Sequence, residues 1–161
     1  MAKAKPVPDL TPETAYAEAA AKVVSVRAAE LTEYAQGVLD TGDIERVHDM
    51  RVTTRRLRAA LEIFEPCFPA TPFRQALTEV KRLADALGER RDRDVAIAAL
   101  HHFNDQMAAP DRRGVASLIE RYRAEQEEAN KELAPLVEGD SLRALRESMA
   151  ELVSAARGAA A

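Results

Sequence analysis

Val47-His48-Asp49-Met50-Arg51-Val52-Thr53-Thr54-Arg55-Arg56-Leu57-Arg58 packs five positively chargeable side chains, four of them Arg, into twelve residues. Read as an α-helix turning about 100° per residue, it brings His48, Arg51, Arg55 and Arg58 within roughly 80° of arc. Val47, Met50, Thr54, Leu57, Leu61 and Phe64 form a second 3-4-spaced stripe beside that row. Val52, Ala59 and Ile63 lie on its other flank. An apolar stripe on a helix needs other helices to cover it, and a row of cations beside the stripe suits a surface that binds anions.

The remainder of the chain fits that helix. Its 161 residues allow one domain with a sizeable core, 47% are hydrophobic, Trp is absent and there are only 6 Gly. Ala, Leu, Glu and Arg dominate and favour helix, and few stretches alternate as strands do. The fold class expected is all-α. Net charge is −4, so the global field repels polyanions, and an anion site has to be local. Cys67 is the only cysteine, which excludes an internal disulfide and suits a reducing compartment. No stretch has the apolar core of a signal peptide or the length of a membrane span. A cytoplasmic protein with no membrane partner is expected.

Helix signals divide the chain into an up-and-down bundle of five or six helices. Residues 1–9 read as a disordered tail and 10–157 as the bundle. Thr11-Pro12 is a candidate N-cap and first position for a helix reaching Leu39. Asp43 is placed to cap the helix of the opening stretch, which Pro66 stops. Thr71-Pro72 repeats the Thr-Pro device for a helix with Phe73, Leu77, Val80, Ala84 and Leu87 on one face. Gly88 predicts a kink or break there, followed by a shorter helix to about Phe103. A further helix runs from Arg112 to about Ala134, before Pro135, and Ser141 is set to cap the last.

Charged helical rows are usually solvated faces, but such faces mix signs, and this one meets no acid until Glu62. Like charges at i,i+4 also cost about 0.2–0.5 kcal/mol per pair, so four close cations favour a counter-anion. Arg binds phosphate through a planar fork that reaches two oxygens at once. Arg56 points elsewhere on the wheel, toward Glu45 and Asp49, and a structural role suits it at least as well. Asp92 and Asp94 are equally placed to cap a helix or to orient Arg91. His48-Asp49 also occurs in metal-dependent phosphohydrolases, with His101, His102 or Asp105 as companions. Adjacent histidines on a helix diverge by about 100° and share a metal poorly. There is no Gly-rich phosphate loop, zinc spacing or nucleophile triad, and few aromatics to stack single-stranded nucleic acid. Tyr34 and Tyr122 read as core.

Two motifs in order resemble the CHAD domain, the conserved-histidine α-helical domain: His48-x-x-Arg51-Val52-x-Thr54-Arg55-Arg56-Leu57-Arg58 and Lys81-x-Leu83-x-x-x-Leu87-Gly88-x-x-Arg91-Asp92-x-Asp94-Val95. The similarity spans roughly residues 10–155. It implies a non-catalytic helical module that binds inorganic polyphosphate through a basic surface, without cofactor or metal. By position it assigns His48, Arg51, Arg55, Arg56, Arg58, Lys81 and Arg91 to polyphosphate, with Asp92 and Asp94 matching an acidic pair. Members are typically about twice this length and resemble two facing bundles. This chain has the first-half motif only and departs from the apolar family pattern at Arg90 and Arg93. It reads as a half-length member, with a homodimer as one way to rebuild the two-bundle pore. Association with polyphosphate granules is a further expectation. Nucleic acid is not expected as the partner, although a nucleic acid or an acidic protein on the same row is the alternative, and a metal-dependent phosphohydrolase a more remote one.

Overall fold

Apolar residues at helical spacing recur along the whole chain, and each run forms a helix. The structure, a computed structural model, describes residues 2–160. Its elements are α1 (Tyr16–Glu33), α2 (Ile44–Ile63), a 3-10 turn (Glu65–Cys67), α3 (Ala70–Gln106), α4 (Arg112–Val137) and α5 (Gly139–Ala160), with no strand among the described residues. α1 packs on α2 and α5, α2 on α3, and α3 on α4, so α5 returns to close the bundle onto α1. The core gathers Leu31, Met50, Leu57, Leu61, Leu87, Leu133, Met149 and Leu152, all essentially without exposure. On α2 even the buried Thr53 and Thr54 are satisfied, since both hydroxyls donate to the Met50 carbonyl at 2.9 and 2.8 Å.

Several boundaries differ from the sequence reading. α1 begins at Tyr16, because Thr11 closes a turn instead of capping: its N–H donates to Thr14 Oγ1 and its carbonyl accepts the Thr14 N–H, each at 3.0 Å. α1 stops before Leu39. Gly37 has φ +71, a left-handed conformation that costs glycine little, and Arg46 Nη1 lies 3.0 Å from where a Cβ would stand. Asp43 does hold the N-cap position of α2, but its carboxylate takes Arg46 Nε at 2.9 Å and not a backbone N–H. Thr71 lies inside α3, which Pro69 precedes. Pro135 sits in the final turn of α4, and Ser141 Oγ donates back to its carbonyl at 2.7 Å and makes no cap.

The largest difference is at Gly88. α3 continues through it for 37 residues without a break. Glycine in a helix interior costs roughly 1 kcal/mol relative to alanine, which packing on both sides of this position outweighs. The buried stripe of α3 is also turned by one column: Phe73, Ala76, Val80, Leu83 and Leu87 face the core, while Leu77 and Ala84 are half-buried. Beyond Asp94 on α3 and before Ile119 on α4 no described residue is buried. These parts of the two helices form an arm on which Val95, Phe103 and Leu118 stay exposed.

Candidate anion-binding face

α2 lies against α3, and a few contacts fix which faces meet. At the start of α2, Arg91 Nη1 donates to the Ile44 carbonyl at 2.9 Å and Arg91 Nη2 stands 3.5 Å from Glu45. Midway, Arg51 lies over Gly88, whose added Cβ would meet Arg51 Nε at 3.9 Å. At the far end, Lys81 Nζ is 3.8 Å from Glu62 Oε1, the oxygen that accepts Arg58 Nε at 3.0 Å. The helices are therefore antiparallel here. Lys81, Ala84, Gly88 and Arg91 share about 80° of α3 beside the cation row of α2.

The row itself is uneven. His48 and Arg51 are half-buried and Arg55 is exposed. Among the described residues none of these three has a hydrogen bond or ion pair. Arg58 and Lys81 share the single carboxylate of Glu62, and both remain more than 40% exposed in their side chains. Arg91 is mostly covered and anchored at the other end. Small residues at 84 and 88 leave the backbone of α3 close under Arg51. The arrangement can offer several guanidinium forks, an imidazole and an ammonium along one line, the geometry a chain of phosphates requires.

The structure removes Arg56 from that line. It lies on the α1 side of α2, where its Nη2 donates to the Ala2 carbonyl at 2.9 Å. Residues 2–9, read from the sequence as a disordered tail, lie here against the bundle. Asp49 accepts the Ala2 N–H at 2.6 Å and so has a backbone partner. No group of three or more His, Cys, Asp or Glu placed to hold a metal occurs among the described residues.

Sequence reasoning missed one polar cluster. Arg90, placed by the sequence in a charged break, is 0% exposed on α3. Its Nε donates to Asp94 at 3.0 Å, Nη1 meets Asn130 of α4, and Nη2 reaches the Asp40 carbonyl at 3.5 Å. Gln126 donates to the same Asp94 oxygen at 2.6 Å, and Asn130 Nδ2 donates to the Leu39 carbonyl at 2.8 Å. Asp94 is thus no cap. It pairs with Arg90 in a network that ties α3, α4 and the α1–α2 connection together. The signal was present: 76, 80, 83, 87, 90 and 94 continue one 4-3 stripe, so Arg90 and Asp94 occupy core columns. Asp92, by contrast, is exposed. Arg93 pairs along the surface with Glu89 and Glu125, beside a groove of about 400 Å³ that Glu127, Glu128 and Glu132 also line. On α3 the groove residues Glu89 and Arg93 lie about 80–140° round from Lys81 and Gly88.

The fold is an all-α bundle with a line of cations across two antiparallel helices. The CHAD domain family model matches residues 22–161, and the chain belongs to that family, a polyphosphate-binding one. No curated protein and no solved structure matches it. No helix among the described residues is long and apolar enough to cross a membrane.

Proposed function

We propose that the α2–α3 face grips inorganic polyphosphate without catalysis. His48, Arg51 and Arg55 supply the central contacts, Arg58 and Lys81 exchange Glu62 for phosphate at one end, and Arg91 holds the other end of the row in place. The observation that carries this reading is the run of three successive row cations with no protein partner. Arg74, Arg82, Arg113 and Arg146 also lack partners among the described residues, but they are scattered over α3, α4 and α5. Arg56 is left out of the site because its guanidinium is engaged by Ala2.

Calorimetric titration with long-chain polyphosphate tests the reading. Binding is expected to weaken steeply with salt, as counterion release requires. Affinity that survives Arg51→Ala combined with Arg55→Ala sinks the site. Excess DNA or RNA should fail to displace polyphosphate; displacement favours a nucleic-acid partner on the same row. Phosphate release on adding Mn²⁺ or Mg²⁺ would replace the binding module with a hydrolase.

We further propose that a second copy completes the site. The row is open on the side away from α3, where Ala59 and Ile63, the latter 63% exposed, border it. Light scattering with and without polyphosphate decides this, and a monomer in both conditions ends it. The same reading carries a cytoplasmic setting and granule association, checked by imaging a tagged chain against a polyphosphate stain.

A further inference from the structure

Residues 2–14 belong to no helix, yet they run along α1 and end on α2. The Lys5 N–H donates to Glu30 and its carbonyl accepts Arg27 Nη2 at 3.0 Å, while its ammonium meets Glu33. The Asp9 carbonyl accepts Lys22 Nζ at 2.7 Å, two turns nearer the start of α1. The segment is therefore antiparallel to α1. Residues 2–7 carry no turn, and the path turns at Pro8 and Asp9, where Asp9 takes φ +53 and its carbonyl meets Lys22. Pro6 and Pro8 suit such a path, since each fixes φ near −65° and brings no N–H to satisfy. At the other end Ala2 is 1% exposed, with its N–H on Asp49 and its carbonyl on Arg56.

Both contacts use one chemistry. A carboxylate takes the backbone N–H of a residue and an arginine takes its C=O: Asp49 and Arg56 on Ala2, Glu30 and Arg27 on Lys5. The spacing of three is the repeat that returns an extended polyproline II chain to the same side. Glu30 is 0% exposed and paired with Arg27 at 2.7 Å. A carboxylate so covered needs every donor near it, and the segment supplies one. Arg56 Nη1 is buried with no partner of its own, so Arg56 faces the segment and not solvent.

We propose that α1 and α2 form a peptide-backbone clamp. Its ligand is an extended segment with a small residue at one position and Lys three residues later, and residues 2–7 fill it in cis. The clamp does not rest on the polyphosphate reading, and it gives Arg56 and Asp49 a use separate from the cation row. Recognition falls mainly on the backbone, so a second segment of this pattern can take the place of the first once that is detached.

Amide-resolved hydrogen exchange on the whole chain tests the clamp directly. The Ala2 and Lys5 amides should exchange at least about tenfold more slowly than those of Lys3 and Ala4, which have no acceptor. Equal rates at all four overturn the proposal. Ala2→Glu, which sets a second carboxylate beside Asp49, should bring the slow pair to the rate of its neighbours; persistent slow exchange removes the small-residue requirement. That variant should then bind a synthetic peptide of residues 1–9 that the parent chain ignores, and Lys5→Glu in the peptide should weaken this by about tenfold or more. A variant with a detached segment that binds no peptide shows that the surface is not a clamp.

Discussion

Arg90 on α3 and the pair Arg51 and Arg55 on α2 carry the same group under opposite conditions. Arg90 is fully buried, and its guanidinium meets Asp94, Asn130 and the Asp40 carbonyl. Arg51 is half-buried and Arg55 exposed, and neither has a partner among the described residues. A guanidinium taken out of water with all three of its nitrogens bonded to the protein fixes the fold and has little left for a ligand. One left without an acid, in a row of like charge, commits none of its donors to the fold. Arginine count is therefore a poor guide to an anion site; what each arginine already holds decides the matter.

Breaking the buried side of this comparison should have the largest effect. Arg90→Ala strands Asp94 and is expected to cost about 3–5 kcal/mol, read as a drop in melting temperature on the order of 10 °C. Replacing both partners, Arg90→Met with Asp94→Leu, should recover much of that loss. An Arg90→Ala protein as stable as the parent would mean that the network does not hold the α1–α2 connection. On the other side, Arg51→Ala with Arg55→Ala should leave denaturant unfolding within about 0.5 kcal/mol of the parent. Polyphosphate affinity should meanwhile fall by about tenfold or more per arginine, at about 1.5–3 kcal/mol for each charge-assisted contact. A loss of stability in place of affinity would erase the distinction.

Two smaller changes sharpen it. Gly88→Ala should stabilise α3 by about 0.5–1 kcal/mol, because the added Cβ meets Arg51 Nε only at ordinary contact distance. A fall in stability would show that α2 and α3 need a closer approach there. Glu62→Gln should release Arg58 and Lys81 and raise polyphosphate affinity by about threefold, with stability unchanged within about 0.5 kcal/mol, as an exposed pair contributes little. Unchanged affinity would place those two cations outside the path of the ligand.

How far the sequence could be read depends on where each interaction leaves a mark. The cation row was legible because four side chains share one helix and its 3-4-3 spacing can be counted. Lys81 and Arg91 followed from the second motif, and the structure sets them beside α2. Arg56 was placed on the correct side of the wheel, but its partner is a backbone carbonyl far away in the chain, and every residue has one of those. The Gly88 break failed because a local propensity of about 1 kcal/mol is outweighed by packing along a long helix. Arg90 and Asp94 were readable as a continuation of the core stripe, yet their charge suggested surface, and only Gln126 and Asn130 from α4 make burial tolerable. At Thr11-Pro12 the cap signature was satisfied by a side-chain turn with Thr14 instead of a helix.

The glutamate-lined groove between α3 and α4 has a kinetic consequence. If the guanidinium row binds polyanions as proposed, a long polyanion arriving from that flank should be repelled before it reaches the row. At an ionic strength of 0.01 M the screening length is about 30 Å, and at 0.1 M about 10 Å. In dilute buffer the repelling flank is felt by most approaching chains, and in moderate salt only by those that nearly touch it. The capture rate should therefore rise and then fall as salt is added, even while the equilibrium affinity falls throughout.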